Sequence, residues 1–342
     1  MSLALRLTPA GEPLEDPEDF FGDSLGVVFE DDTMNLHGDA DHGLLYTSPH
    51  LPKPLHISLA DPAGDEDRQL FSHYLWNASL LLAEFVEAGT LIAQKTTSSP
   101  LGPALTDFDI TGLTTIELGA GTALPSLLAA LYGAERVVIT DYPAPAILAN
   151  LRDNAARNLL PAHSPLARVA DFEVVGHAWG DLDSSSSSSS SSPPTTATTL
   201  TSLAATGRGA FDRVFICDCL WMPWQHDNLL RSVAWFLRAG REARCWCVAG
   251  FHSGRAAMRG FLEAEKLAGV GLEVERIWER DCDGVERAWE WDRGIEDPAG
   301  RKRWLAFAVL RRMRVGDEED ESGVLGGGGG GGEEVEGGEG GR

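Results

Sequence analysis

Cations are scarce in this sequence. Twenty-eight Lys and Arg stand against 52 Asp and Glu, leaving a formal net charge of -24 at pH 7 over 342 residues. Residues 317–342 carry nine acids and one Arg, or -8, so the rest of the chain still holds about -16. A nucleic-acid binder gripping phosphates needs Lys and Arg, so this balance argues against one. It suits a basic protein or peptide partner, although acidity alone also serves solubility and steering. Long apolar runs are missing as well. No stretch approaches 18 uninterrupted apolar residues, so no membrane-spanning helix is expected. The opening "MSLALRLTPAGEPLEDPEDF" has a tiny apolar run followed by Pro and acids, and reads as neither a signal nor a transit peptide. Cysteine is sparse too. Five in a long chain is an odd number that fits a reducing compartment better than a disulfide framework.

Four of those cysteines form two C-x-C pairs, Cys217 with Cys219 and Cys245 with Cys247. Both pairs sit in apolar stretches, "RVFICDC" and "RCWCVAG", where alternate residues share a strand face. No nearby His or Cys has the spacing to close a zinc site, so they read as buried thiols and no metal is expected.

The chain divides unevenly. Residues 1–68 are rich in Pro, Gly and Asp and look like an extended N-terminal arm lying over a core. "DRQLFSHYLWNASLLLAEFVEAG" has apolar groups at helical spacing from Leu70 to Val86, which predicts a helix. From Thr114 strand and helix alternate: "TTIEL", "ALPSLLAALYG", "RVVITD", "PAILANLRDNAARNLL", then a strand in "ARVADFEVVGHAW". Residues 184–209 begin with nine Ser and continue with Pro and Thr, a composition that cannot build a core and reads as a disordered insertion within the domain. The pattern resumes with "FDRVFICDC", helices across "WQHDNLLRSVAWFLRAG" and "RAAMRGFLEAEKLAG" around the strand "ARCWCVAGF", and two last strands, "LEVERIWER" and "RWLAFAVLRR". The principal domain is thus 69–316, and the Gly- and acid-rich 317–342 is expected to be a disordered tail. Alternation of this kind requires an α/β fold with a mainly parallel sheet covered on both faces. Two final strands without a clear helix between them predict an antiparallel finish.

The chemistry centres on "ELGAGTALP". Gly119 and Gly121 permit a tight turn and close backbone approach to a ligand. A dinucleotide fingerprint would place a third Gly where Leu124 stands, and a phosphate-binding Lys is absent. Glu117 beside the loop is badly placed for a pyrophosphate but suits the polar groups of a cationic sulfonium amino acid. Asp141, ending the next strand, suits ribose hydroxyls. Together they point to S-adenosylmethionine.

On these motifs, with "FGDSLGVVFEDD", "HYLWNASLLLAEF", "HAWG" and "FDRVFICDCLWMPWQHDNLL", the sequence resembles the Rossmann-like, seven-strand class I methyltransferases. Within them it is similar to a fungal branch of lysine methyltransferases, once labelled nicotinamide N-methyltransferase-like, whose substrate is translation elongation factor 1-alpha. The likeness covers most of residues 20–315 outside the Ser-rich insertion. It implies seven strands, S-adenosylmethionine as cofactor, and methylation of the N-terminal glycine and adjacent lysine of that factor. It further implies a cytoplasmic monomer without nucleic-acid or membrane partners.

Carried onto this chain, the resemblance assigns Trp76, Glu117, Gly119, Gly121, Asp141 and Trp179 to the cofactor site. Asp218 and Trp221 form its acidic-x-x-aromatic motif beside the transferred methyl, with Trp where Tyr or Phe is common. The arm acids Glu30, Asp31 and Asp32 are candidates to meet substrate amines, and fit equally well as solvated surface. Trp76, Trp179 and Trp221 also fit as packing aromatics, and Asp218 as a turn residue. His226 and His252 read as structural or surface groups. Methylation of nicotinamide and a non-catalytic cofactor-binding adaptor are the alternatives.

Overall fold

The structure is a computed structural model that describes residues 2–10, 35–38, 43–61, 74–94, 106–182 and 203–313. The arm is not merely extended. Its described segments form β1 (Leu7–Pro9), β2 (Leu36–His37), β3 (Leu44–Tyr46) and β4 (Leu55–Ile57), of which β1, β3 and β4 make a three-stranded antiparallel sheet. β5 (Leu75–Trp76) pairs with β2, and only then does α1 (Asn77–Gln94) begin. The helix predicted from Leu70 therefore starts at Asn77, because Leu75 and Trp76 are taken up by strand pairing.

The alternating region follows its periodicity closely. β6 (Thr114–Leu118), α2 (Leu124–Leu131), β7 (Arg136–Asp141), α3 (Pro145–Leu159) and β8 (Asp171–Gly176) form the first half. β9 (Arg213–Cys217), α4 (His226–Phe236), β10 (Arg244–Gly250), α5 (Arg255–Leu262) and α6 (Ala264–Gly269) form the second. The chain closes with β11 (Leu272–Asp281), β12 (Glu286–Ala288), α7 (Pro298–Arg301) and β13 (Trp304–Arg312). The sheet runs β12-β11-β13-β10-β9-β6-β7-β8. β6 to β10 are mutually parallel, and β13 lies antiparallel between β10 and β11. Among the described residues this sheet has eight strands where seven were expected, since the acidic link supplies the short edge strand β12 in a hairpin with β11.

Period-two alternation sorts the core. Phe215, Trp246 and Phe307 face the layer built by α1, α2 and α3, while Ile216, Cys247 and Ala308 face α4, α5 and α6. All five cysteines are free and buried, and no group of potential metal ligands occurs among the described residues. Among the same residues, no helix is long and apolar enough to cross a membrane.

The arm is tied down by polar side chains as well as packing. Asn150, Asn154 and Asn158, one helical turn apart on α3, all meet the β4 segment. Asn154 Oδ1 accepts from Ser58 N at 2.7 Å and its Nδ2 donates to Ser58 O at 2.9 Å, so an otherwise open strand edge is satisfied by a helix. Buried Glu87 on α1 accepts from Arg6 at 2.9 Å and from the Tyr132 hydroxyl at 2.6 Å. The Ser-rich insertion ends earlier than its composition suggested. Residues 203–206 are helical, Leu203 and Ala204 are buried in the core, and Trp235 Nε1 donates to Ala204 O at 2.9 Å.

Candidate active site

The carboxyl ends of β6, β7, β8 and β9 converge on one cleft. The chain moves outward from β6 to β8 and returns to β9 on the other side, which is where an open α/β sheet leaves a ligand crevice. Trp76, Gly119, Gly121, Asp141, Trp179, Asp218 and Trp221 all line it.

After β6 the backbone turns through Gly119 (φ 73°), Gly121 (φ 56°) and Ala123 (φ 64°) before α2. Gly119 is required twice over. A Cβ there would lie 2.8 Å from Cys219 Sγ and 2.9 Å from the Trp179 ring, besides adopting a left-handed φ. At Gly121 a Cβ would meet nothing within 4 Å, so that residue borders open space. Asp141 closes the turn from the neighbouring strand. Its Oδ2 accepts from Gly121 N at 2.7 Å and its Oδ1 from Tyr142 N at 2.7 Å. Burial raises its pKa to about 6 against the pull of those two N–H groups.

Glu117 behaves differently from its sequence-based assignment. It is fully buried and not among the residues lining the cleft. Its Oε2 accepts from the Ser126 hydroxyl at 2.5 Å and from Ser126 N at 3.3 Å, while Oε1 has no partner. Burial lifts its pKa to about 8. It therefore holds the start of α2 and lies beneath the turn.

The "HAWG" loop after β8 is anchored through His177, whose Nε2 lies 3.0 Å from Ser232 Oγ on α4. Burial pushes that imidazole down to about 4, so it is neutral at physiological pH. The same hydroxyl accepts from Gly180 N at 2.9 Å, and a Cβ at Gly180 would press on Asn228 at 2.6 Å. The loop thereby sets the half-buried Trp179 against Gly119.

Asp218 follows β9 in a left-handed conformation, φ 56°. Its N donates to Val248 O at 2.8 Å, and its Oδ1 accepts from Gly250 N at 3.1 Å. Burial is the main influence on this carboxyl and raises its pKa. Three residues on, Trp221 meets Trp224 edge to face, with centroids 6.2 Å apart. His226 is structural as read from sequence, with Nε2 2.9 Å from Leu220 O behind this loop. His252 stands nearer the site. Its ring stacks on Trp76 at 4.9 Å, and its Nδ1 stands 3.6 Å from Asp218 Oδ1.

Sequence reading missed Tyr74, Ser79, Thr122, Tyr142 and Met222, which also line the cleft. No spacing rule announces them, because they converge from separate loops and, for Ser79, from the first turn of α1. Glu30, Asp31 and Asp32 lie outside the described residues. The lining fits an amphipathic cationic ligand. Aromatic faces stand beside buried carboxylates, and the Thr122 hydroxyl is a buried group without a partner.

No family model matches the chain. Curated relatives do. A Schizosaccharomyces pombe protein named protein N-terminal and lysine N-methyltransferase efm7 is 24% identical over 245 residues, 68% of this chain and 80% of its own length. Its namesake in Gibberella zeae is 28% identical over 236 residues, 68% of this chain and 75% of the relative. The Yarrowia lipolytica protein of that name reaches 31% over 180 residues, half of this chain and 54% of the relative. Among solved structures, a ribosomal protein L11 methylase from Lactobacillus delbrueckii subsp. bulgaricus aligns over 78% of this chain and 90% of its own, with 13% identity and TM-score 0.37. An arsenic (III) S-adenosylmethionine methyltransferase from Chlamydomonas reinhardtii covers 68% and 74%, with 15% identity and TM-score 0.37. By sequence, this chain is similar to the fungal protein N-terminal and lysine N-methyltransferases.

Proposed function

We propose that the chain is an S-adenosylmethionine-dependent protein methyltransferase that modifies the N-terminal glycine and adjacent lysine of translation elongation factor 1-alpha. The observation that supports this most is the junction of the Gly119–Gly121 turn and Asp141 at one end of a cleft that also holds Asp218 and Trp221. The names of the curated relatives support protein amines as the substrate class, and the family resemblance supports the elongation factor.

When bound, S-adenosylmethionine supplies an electrophilic methyl on a cationic sulfonium. The chain's own part is binding and orientation. Each Asp141 oxygen accepts one backbone N–H and keeps a lone pair for a ribose hydroxyl. Trp179 and Trp76 offer flat walls for an adenine and for the methionine end. The amine reacts only after its ammonium proton has passed to solvent; Asp218 then accepts an N–H of the neutral amine and so orients the nitrogen's lone pair toward the methyl, while Trp221 walls the pocket and favours binding of a cationic or methylated amine by cation–π contact. Such catalysis rests on orientation and exclusion of water, without a covalent intermediate. Methyl transfer requires no thiolate, and burial raises the pKa of Cys217 and Cys219, so both are read as thiols of the cleft wall.

The cytoplasmic location and monomeric state belong to the same reading and rest on the resemblance, with five free thiols fitting a reducing compartment. Glu30, Asp31 and Asp32 stay in it on sequence alone. The deciding experiment incubates the protein with labelled cofactor and three acceptors, the elongation-factor N-terminal peptide, its acetylated form and nicotinamide, with buffer alone as control. Mass spectrometry is expected to find methyl groups on the first two residues of the free peptide, and acetylation is expected to abolish the amino-terminal product. Transfer to nicotinamide alone, or tight cofactor binding without any transfer, rejects the substrate assignment.

A further inference from the structure

We infer that His252 is a positioning residue for Asp218, its ring wedged between Trp76 and the carboxylate so that it aims that carboxylate into the cleft. The inference rests on the methyltransferase reading of the site and adds a residue to it.

Three observations carry it. The imidazole stacks on Trp76 with centroids 4.9 Å apart and planes 27° from parallel, so its rotation is restricted. Its Nδ1 is buried and has no hydrogen-bond partner, yet it faces Asp218 Oδ1 at 3.6 Å, just beyond hydrogen-bonding range. A buried ring nitrogen is costly to leave unpaired, and catalytic contacts commonly tighten when ligands fill the site. Finally, the backbone between them is close to both groups. A Cβ at Gly250 would sit 3.2 Å from His252 Nδ1 and 3.4 Å from Asp218 Oδ2, so Gly there leaves the two side chains room to approach each other.

The turn that carries His252, Phe251–Ser253, is itself clamped. Phe251 is fully buried with the Arg255 guanidinium 4.3 Å above its ring, and Arg255 is paired with Glu279 at 2.7 Å and Glu296 at 3.0 Å. A residue needed only to fill space beside Trp76 would not require this registration against a carboxylate. Donation from Nδ1–H to Asp218 leaves the second carboxylate oxygen free to accept from a substrate amine.

Two variants separate donor from ring. His252→Phe keeps the stack and removes the donor, whereas His252→Asn restores an N–H near the Nδ1 position without the ring. His252→Phe is expected to lower kcat about tenfold to a hundredfold, the loss of a charge-assisted hydrogen bond, with peptide KM and cofactor Kd within about threefold. His252→Asn should recover most of kcat. Wild-type kcat in His252→Phe overturns the inference, as does His252→Asn no better than His252→Phe, or a loss confined to cofactor Kd. A measurement without turnover keeps the two readings apart. Nitrogen NMR of the wild-type protein should show His252 protonated at Nδ1, and Asp218→Ala should release it toward the ordinary Nε2–H form. An Nε2–H ring in the wild type overturns the pair whatever the activity. Absent methyl transfer with an intact Nδ1–H pair rejects the enzymatic reading instead.

Discussion

Asp141 Oδ2 accepts a hydrogen bond from Gly121 N at 2.7 Å, so the acid at the end of β7 and the glycine turn after β6 form one unit. Asp141→Ala therefore removes both a proposed ribose acceptor and a brace for the turn. Charge-assisted hydrogen bonds contribute on the order of 1.5–3 kcal/mol, so cofactor affinity is expected to fall roughly tenfold or more. Calorimetry on the folded variant checks this, and an unchanged Kd contradicts the assignment.

The two turn glycines should respond unequally to alanine. Gly121→Ala meets open space and pays only for its left-handed φ, about 1 kcal/mol of stability. Gly119→Ala adds a collision with Cys219 and Trp179, so it should cost about 2–4 kcal/mol and disturb the Trp179 wall. Denaturant titration of both variants, with Trp fluorescence as a second readout, tests the order. Equal losses would mean that Trp179 does not seat against this turn.

Glu117 predicts a pH-dependent stability. Its pKa is raised from 4.5 to about 8 by burial, so between these values the folded state holds a proton that the unfolded state has lost. Stability then falls as pH rises through this window, and the full penalty is present above about 8. Glu117→Gln lacks the penalty. Its Tm should match that of the natural protein near pH 4.5 and exceed it at pH 9, where the stability difference is on the order of a few kcal/mol. A Tm difference that does not change with pH would place a charged, solvated Glu117 instead.

The Ser-rich insertion should be dispensable only up to Leu203. Replacing 184–202 by a short linker is expected to leave cofactor affinity within about twofold, because its composition offers nothing to pack. Extending the deletion to 209 removes buried Leu203 and Ala204 and the acceptor of Trp235 Nε1, and should cost about 2–4 kcal/mol. Comparing the two deletions by thermal unfolding and calorimetry decides where the insertion ends.

Periodicity and turn chemistry determined a great deal here. The apolar alternation of "TTIEL", "RVVITD", "FDRVFIC" and "ARCWCVAG" specified buried strands, since each fills both faces of a parallel sheet. The positions of Gly119, Gly121 and Asp141 followed from the same register, because a strand end places its next residues at the carboxyl edge. Tertiary structure decided what those local rules leave open. Trp76 lost its helix to pairing with Leu36, a partner 40 residues away. Glu117 points beneath α2 to Ser126, a matter of side-chain direction that a motif does not encode. The second C-x-C pair shares one face as alternation requires, but the first does not, because Cys219 lies past the end of β9 and Cys217 within it. His252 meets Asp218 because β9 and β10 are parallel neighbours, and meets Trp76 only through the separate β2-β5 pair that precedes α1. Hydrophobic period fixes an element and its faces locally, whereas contacts between loop ends depend on the order of strands across the whole sheet.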